Sequence, residues 1–176
     1  QSPAVGDQAQ ERIRPPMVAG QFYPGNPDEL RETAVRLINQ AAPRVPPGKV
    51  RALIVPHAGY IYPGQVAASG YKSLDRRYKK FLVLASNHSA DAPPFTFSVP
   101  DADFFQTPLG KVRVSPAIRE LKKNALFTTV PEAEAGHVIE VQLPFLQTRY
   151  TDFEILPVIT GAVTRRELLA AAEVLQ

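Results

Sequence analysis

The chain has 176 residues, of which 44% are hydrophobic and 21% charged, and its formal net charge is +3 at pH 7. This length and composition fit one globular domain with a core of its own. The basic pairs are scattered without interleaved aromatic residues, which argues against a nucleic-acid partner, and no apolar run approaches the roughly 18 residues of a membrane span. The lack of cysteine excludes disulfides, thiolate catalysis and Cys-ligated zinc, and it leaves His, Asp and Glu as metal ligands.

The two ends of the chain differ from its middle. Residues 1–14 are polar and without period, so we expect a flexible tail ahead of a domain over residues 15–176. The first residue is Gln1, which indicates processing, tagging or trimming; we expect a cytoplasmic protein, and an exported mature form stays open. Residues 168–176 are predicted to be helical and lack a Gly or Pro stop signal, so we expect a domain that is incomplete at its C-terminus.

The first predicted element is a helix that begins after Asn26. Asn26 can cap it, Pro27 suits its first position, and Glu29 can reach back to the cap. Prolines at 43, 46 and 47 end it. Its apolar face repeats at helical spacing, at Leu30, Ala34, Leu37, Ile38 and Ala41.

Three short apolar runs predict strands that are buried on both faces, over residues 50–56, 81–86 and 153–160. A small-residue helix over residues 65–74 separates the first two. Strands that alternate with helices predict an α/β fold with a mainly parallel sheet flanked by helices.

The remaining elements are shorter. Residues 110–115 alternate between apolar and polar, which predicts an edge strand or a hairpin arm. Ser115 and Pro116 open a helix that runs to about residue 123. Residues 138–143 are predicted to be helical, with Pro144 bending or ending the helix, and a capping box from Thr164 to Glu167 opens the last helix.

All three histidines of the chain lie at the ends of predicted elements. His57 and His88 each follow a predicted strand, so parallel neighbours would bring both imidazoles to one edge of the sheet, where open α/β sheets bind ligands. His137 precedes a predicted helix, and Glu140 lies one turn further on the same face. Two imidazoles and a carboxylate suit non-haem Fe(II) or zinc, and a third imidazole can act as acid or base. Each histidine alone is equally explained as a hydrogen-bonded turn residue.

Other residues near the histidines leave two interpretations open. Tyr60 and Tyr62 either line a pocket or pack as half-buried loop aromatics. Asn87 either orients a ligand or caps the following turn, and capping is favoured. The glycines at 59 and 64 predict tight turns or close backbone approach, and they match neither a Walker loop nor a dinucleotide fingerprint.

Six stretches occur in the order in which one known family has them. They are MVAGQFYPGNPDEL, ALIVPHAGYIYPGQVAASGYKSL, FLVLASNHS, FFQTPLGKVRV, GHVIEVQLPFLQ and FEILPVITG. Over residues 15–176 the chain therefore resembles the Memo family (mediator of cell motility), whose prokaryotic members are called AmmeMemoRadiSam system protein B.

The resemblance implies a fold similar to the class III extradiol ring-cleaving dioxygenases, with a non-haem metal pocket. His57 and His88 match the family's metal-ligand positions, and His137 matches a histidine of the same pocket, where it would move the proton. The third ligand of the family lies after a later strand, beyond Gln176. The implied metal is Fe(II), with Cu or Zn as alternatives, and the substrate is an unknown small molecule. The prokaryotic name implies a functional link to a radical SAM protein and an AMMECR-type protein.

Three hypotheses follow from these observations. The first is a metal-dependent, dioxygenase-like enzyme or redox protein. The second is a module in which the same pocket, without a productive metal, binds a peptide or a protein; it is favoured by Ser-Asn-His-Ser around His88 and by Gly136, since many members of the family carry a Pro-Ser-His-His type run and an acidic residue there. The third is a structural fragment with no activity of its own.

Overall fold

The computed structural model describes residues 10–43 and 49–176. Within these residues a seven-stranded sheet is packed against helices. The strands are β1 (Ile13–Arg14), β2 (Lys80–Ser86), β3 (Phe97–Ser98), β4 (Phe104–Thr107), β5 (Gly110–Val114), β6 (Phe127–Thr128) and β7 (Glu154–Thr160). The helices are α1 (Pro27–Gln40), α2 (Gly64–Lys72), α3 (Ile118–Leu121), α4 (Pro131–Glu134), α5 (Leu143–Arg149) and α6 (Arg165–Val174), with a turn of 3₁₀ helix at Glu140–Gln142.

Strand β7 organises the sheet. It pairs in parallel with β2 along its whole length, in parallel with β5 near its start, and antiparallel with β3 near its end. Strands β4 and β5 form an antiparallel hairpin, while β1 lies parallel to β4 and β6 parallel to β3. The α/β class is therefore confirmed, but the two antiparallel pairs make the sheet mixed.

The predicted helix starts are confirmed where capping residues set them. The Asn26 side chain accepts hydrogen bonds from the backbone N–H groups of Asp28 and Glu29, and Pro27 occupies the first position of α1. The Glu29 side chain makes no return bond among the described hydrogen bonds. The capping box between Thr164 and Glu167 is complete and opens α6.

The predicted strand over residues 50–56 is wrong. These residues form no helix and pair with no strand of the described chain, and Ile54 is fully exposed. The prediction for residues 81–86 is right in type, since β2 forms there. It is wrong in burial, because Leu82 and Leu84 are exposed on one face. An apolar run becomes a buried strand only when neighbours cover it.

Two helix predictions also need correction. Residues 138–142 contain only the single 3₁₀ turn, and Leu143 already begins α5. Pro144 lies in the first turn of α5 instead of ending a helix, because a first-turn residue needs no N–H donor. The helix predicted after Ser115 is reduced to the four residues of α3. The hairpin arm at residues 110–115 is confirmed as β5, which is not an edge strand since it also pairs with β7.

The N-terminal residues join the fold earlier than predicted. Ile13–Arg14 form β1, and the Arg12 guanidinium pairs with Asp101 and Asp103. Residues 10–14 are thus part of the domain, whereas residues 1–9 of the predicted tail lie outside the described residues, as do the prolines at 46 and 47.

Part of the core lies where α1, α2 and α5 meet. Phe145 of α5 stacks between Tyr60 and Tyr71, with ring centroids 4.6 and 5.3 Å away. Phe105 and Phe145 are fully buried. None of the described helices is both long and apolar enough to cross a membrane.

Candidate functional site

Two histidines meet at the edge of the sheet. His88 follows β2, His57 follows the apolar segment 51–56, and their Nε2 atoms lie 3.0 Å apart. The rings are nearly perpendicular, with centroids 4.7 Å apart. At this distance the two nitrogens share at most one proton, so at least one of them presents a lone pair.

The third histidine lies beside this pair. The His137 ring centroid is 5.5 Å from that of His88 and 6.1 Å from that of His57. We refer to His57, His88 and His137 as the histidine cluster. Within residues 10–43 and 49–176, no group of three or more His, Asp or Glu side chains is arranged to hold a metal ion. The cluster is thus one converging pair with a third imidazole close by.

Local turns orient His88. Its Nδ1 lies 3.2 Å from the carbonyl oxygen of Ser86, so a proton on Nδ1 leaves the Nε2 lone pair free to face His57. Asn87 shapes the turn: its Oδ1 accepts the N–H of Ser89 at 3.0 Å, and its Nδ2 donates to the Ser89 carbonyl. In this structure Asn87 caps the turn, which is the interpretation that the sequence favoured.

The loop after His57 is fixed from both sides. Gln142 donates to the carbonyl of Pro56 at 3.1 Å and accepts from the Tyr71 hydroxyl. On the other side, the N–H of Tyr60 donates to the carbonyl of Phe22 at 2.7 Å. A Cβ at Gly59 would lie 3.3 Å from that carbonyl oxygen, so the close approach favours glycine.

The sequence did not predict two further residues of this candidate site, Phe22 and Gln142. The Phe22 ring packs on His137, with centroids 4.5 Å apart, while its carbonyl binds the loop after His57. Phe22 thus contacts two parts of the site at once. Its only signal in the sequence is a place in a stretch between glycines, QFYPG, which does not reveal a partner more than a hundred residues away.

Burial favours the neutral form of His57 and of His137. It lowers the pKa of His57 and of His137, and in both cases the proximity of His88 lowers the pKa further. The pKa of His137 is also lowered by His57 and is raised by Glu140, which is a smaller effect. Imidazoles with a lowered pKa are neutral at pH 7, and the neutral form is the one that binds metals or accepts a proton.

Two residues predicted for the pocket belong to the interior. Tyr60 is buried, and its hydroxyl donates to the Val141 carbonyl at 2.7 Å. Glu140 is fully buried, and its carboxylate accepts hydrogen bonds from the Arg14 guanidinium, the Tyr23 hydroxyl and two backbone N–H groups, those of Met17 and Val18. We call this arrangement the Glu140 clamp. It ties the N-terminal segment to the turn after His137, and it leaves no carboxylate oxygen for the histidine cluster.

The nitrogen pair fits a metal as part of a larger donor set. Two ligands at right angles on one ion, each about 2.1 Å from it, lie about 3 Å apart. The distance between the Nε2 atoms of His57 and His88 is 3.0 Å. Neutral imidazoles suit Fe, Cu and Zn alike, so the pair by itself does not select the metal.

Comparison with known proteins gives a consistent result. The family model described as Memo-like protein matches residues 14–176. A MEMO1 family protein of Methanosarcina barkeri is 38% identical over 154 residues, which cover 85% of this chain and 55% of the relative. A MEMO1 family protein of Aquifex aeolicus is 37% identical over 159 residues (86% and 56%), and one of Archaeoglobus fulgidus is 32% identical over 164 residues (92% and 59%). The chain thus spans little more than half the length of the curated relatives it matches.

Proposed function

The chain belongs to the Memo family, and we propose that its histidine cluster forms part of a non-haem metal centre that acts on a small molecule. The observation that carries this proposal is the 3.0 Å approach of the Nε2 atoms of His57 and His88. Both histidines sit at the edge of an α/β sheet, which is where such folds bind ligands.

In this proposal His57 and His88 hold the metal, with Fe(II) as the first candidate and Cu or Zn as alternatives. A bound ion supplies Lewis acidity and, in the case of Fe or Cu, redox chemistry toward a substrate oxygen. The carbonyl of Ser86 holds the Nδ1 proton of His88 and so aims its Nε2 toward the metal position.

His137 is the proposed proton carrier. Its lowered pKa makes it a neutral base at pH 7, and its ring lies near the converging nitrogens without pairing to either of them. The Phe22 ring packs against it. A base at this place is what a dioxygenase-like reaction on a dihydroxylated ring requires, because the substrate hydroxyl must lose its proton.

The remaining ligand is proposed to come from outside the described residues. No described carboxylate forms a metal-binding group with the pair. The Glu140 carboxylate is bound in its clamp, and the Glu134 carboxylate accepts a hydrogen bond from the Ser98 hydroxyl. The curated relatives are much longer than the matched region, so they have sequence that can supply a third ligand.

A second candidate function is peptide or protein binding by the same pocket. One observation favours it: Ile61 and Tyr62, in the loop after His57, are almost completely exposed. An exposed aromatic next to a polar cluster is a common feature of binding surfaces. In this second function the histidines form hydrogen bonds to the bound peptide or protein and catalyse no reaction.

Metal content by mass spectrometry, after anaerobic loading with Fe(II), tests the proposal. The samples are this chain, a longer chimera that continues it with the part of the Methanosarcina barkeri relative outside the match, and the His57→Ala, His88→Ala and His137→Gln variants of both. We expect about one metal per longer chain, lost in His57→Ala and His88→Ala and retained in the matched control His137→Gln. If no sample holds iron, copper or zinc, the metal proposal is wrong, and peptide binding becomes the leading function.

A further inference from the structure

A cavity of about 330 Å³ lies toward the opposite end of strand β7 from the histidine cluster. Its walls are the β4–β5 hairpin, α3 and the loop before β4, and we call it the arginine cavity because Arg12, Arg113 and Arg119 line it. Arg113 and its neighbour in β5 pair with the first two residues of β7, whereas His88 follows the strand that pairs with the last. At about 3.3 Å per residue, the two ends of β7 are about 20 Å apart. The cavity is therefore separate from the histidine cluster.

Six charged side chains line the arginine cavity, and four of them are cationic. The cations are Arg12, Arg113, Arg119 and Lys122, and the anions are Asp101 and Asp103. Four positive and two negative charges leave an excess of two positive charges. The rest of the lining includes apolar surface, which comes from Phe104, Pro116 and Ile118. A concave site with this balance of charge attracts anions.

Two of the four cations are bound to the two acids. Arg12 donates to the Asp103 carboxylate through its backbone N–H and its guanidinium, each at 3.0 Å, and its guanidinium also contacts Asp101. The Lys122 ammonium lies 3.1 Å from the Asp101 carboxylate. Hydrogen bonds from Arg12 lower the pKa of Asp103 to about 2, and hydrogen bonds from Lys122 and Arg12 lower the pKa of Asp101. Both acids are therefore ionised at neutral pH, and their charges balance those of Arg12 and Lys122.

The other two cations, Arg113 and Arg119, form no ion pair with the described residues. The acids adjacent to them in the sheet and in the chain are bound elsewhere. Glu154, the partner of Arg113 in the sheet register, pairs with Lys80. Glu120, which follows Arg119, pairs with the lysine three residues further on. The excess positive charge of the cavity therefore resides on the guanidinium groups of Arg113 and Arg119.

The fold brings these two guanidinium groups to the cavity from different walls. Arg113 lies opposite Phe104 in the hairpin, and its guanidinium carbon is 5.6 Å from the centre of the Phe104 ring. A cation held over an aromatic ring loses less freedom when it binds a ligand. Arg119 belongs to α3 and lies three residues before Lys122, so that both side chains extend from the same side of this turn.

We propose that the arginine cavity binds a small organic dianion, a phosphate monoester or a short dicarboxylate, through Arg113 and Arg119. The N–H groups of a guanidinium match the oxygens of a phosphate or a carboxylate and can bind them in pairs. A phosphate monoester carries about 1.5–2 negative charges at pH 7, which balances the excess charge of the cavity. A volume of about 330 Å³ is at the lower end for ligand pockets, which favours a small molecule. This site goes beyond the proposed function and requires no metal.

Isothermal titration calorimetry at pH 7.5, in a low-salt buffer free of phosphate and carboxylates, tests the proposal. The probes are glycerol 3-phosphate and succinate as dianions, acetate as a monoanion and glycerol as a neutral molecule. We expect at least one dianion to bind with a dissociation constant below roughly 1 mM and at least about tenfold more tightly than acetate. The dianion that binds more tightly identifies the class of ligand. If neither dianion binds more tightly than acetate, the proposal is wrong.

The double variant Arg113→Gln/Arg119→Gln should weaken the binding of that dianion at least about tenfold. Both arginines are exposed, so the melting temperature without ligand should change little. The matched control is Arg31→Gln/Arg36→Gln, which removes the same charge from two exposed arginines of α1 that do not line the cavity. Its affinity should stay within about twofold of the parent chain. Equal losses in both double variants would show attraction to the net charge only and would overturn the proposal.

Asp103→Asn gives a second test in which binding should improve. The substitution removes one negative charge from the cavity, so that the excess rises from two to three positive charges. We expect the same dianion to bind at least about threefold more tightly, and the gain should shrink as salt is added. Unchanged or weaker binding in Asp103→Asn would contradict a dianion site in this cavity. No metal is present in these titrations, so their failure is separate from a failure of the metal proposal.

Discussion

The Glu140 clamp and the histidine cluster are two polar clusters that lie close together in the chain at His137 and Glu140. They differ in charge and in burial. The clamp brings opposite charges together in the interior, and each oxygen of Glu140 accepts at least two hydrogen bonds. The cluster brings three groups of the same kind to a half-exposed edge, where His57 and His88 share a single contact. A buried group whose charges balance stabilises the fold. Imidazole nitrogens that face each other at an exposed edge can instead bind a ligand.

The comparison is useful because His137 and Glu140 are only three residues apart. The sequence alone assigns both to one pocket, but the structure turns the imidazole toward His88 and the carboxylate toward Arg14. Burial and partners, and not proximity in sequence, separate the structural residue from the candidate functional one. The following variants test whether that separation is real.

The largest loss of stability is expected for Glu140→Gln. The variant leaves the Arg14 guanidinium, which is 9% exposed, in the interior without its counter-charge, at a cost of about 3–5 kcal/mol. Urea denaturation measures the change in the free energy of unfolding. Asp103→Asn is the control, since it removes one carboxylate from the exposed pair with Arg12 and should cost less than about 1 kcal/mol. Equal losses in both variants would show that the clamp has no special role.

Tyr23→Phe should weaken the clamp without opening it. The Tyr23 hydroxyl donates to Glu140 at 2.6 Å, and burial raises the pKa of Tyr23 so that it stays a donor at every pH of interest. Loss of a hydrogen bond to a charged group should cost about 1.5–3 kcal/mol. Tyr60→Phe removes a bond to a neutral carbonyl instead and should cost about 0.5–1.5 kcal/mol by the same urea measurement. If Tyr60→Phe costs more than Tyr23→Phe, the charge of Glu140 does not strengthen its hydrogen bond with Tyr23.

What the sequence predicted depends on how local each feature is. The caps at Asn26 and Thr164 and the strands β2 and β7 were predicted because their signals lie within a few residues. The role of Glu140 was not, because it depends on distant partners: Arg14 and Tyr23 lie 126 and 117 residues before it.

The site itself was predicted in part. The meeting of His57 and His88 follows from their places after two parallel apolar runs, and the structure brings them together even though the first run is not a strand. Phe22 was missed because its contacts come from a loop whose position the clamp sets, and no local pattern records that. The sequence thus indicates candidate functional residues, while the structure shows what holds them in place.

Glu134 is an intermediate case, a buried carboxylate that is only half satisfied. Its Oε1 accepts from the Ser98 hydroxyl at 2.6 Å, its Oε2 is buried without a partner among the described residues, and burial raises its pKa above the ordinary 4.5. A raised pKa means that the folded protein holds the proton more tightly than the unfolded chain. The stabilisation is therefore present below about pH 4.5 and is lost as the pH rises through the folded pKa.

Glu134→Gln mimics the protonated form and should raise the melting temperature at pH 7 by about 2–4 °C, with no gain at pH 4. The control Glu167→Gln should have the opposite sign, because hydrogen bonds from Thr164 lower the pKa of the Glu167 carboxylate, and the charged form is the one that stabilises the cap. Thermal melts at the two pH values measure both. A loss of stability in Glu134→Gln at pH 7 would contradict this expectation, because it would show that the charged carboxylate of Glu134 stabilises the folded protein.

The smallest effect on stability is expected at the histidines themselves. His57→Ala should change the free energy of unfolding by no more than about 0.5 kcal/mol at pH 7.5, because the side chain is half-exposed and makes a single polar contact. Since burial lowers the pKa of His57 in the fold, its neutral form stabilises above the ordinary pKa of 6.5, and that contribution is lost as the pH falls through the folded value. The variant should therefore lose less stability than the parent chain between pH 7.5 and pH 5, as urea titrations at the two pH values would measure. A cost at pH 7.5 as large as that of Glu140→Gln would place His57 among the residues that hold the fold together, and the distinction between the two clusters would fail.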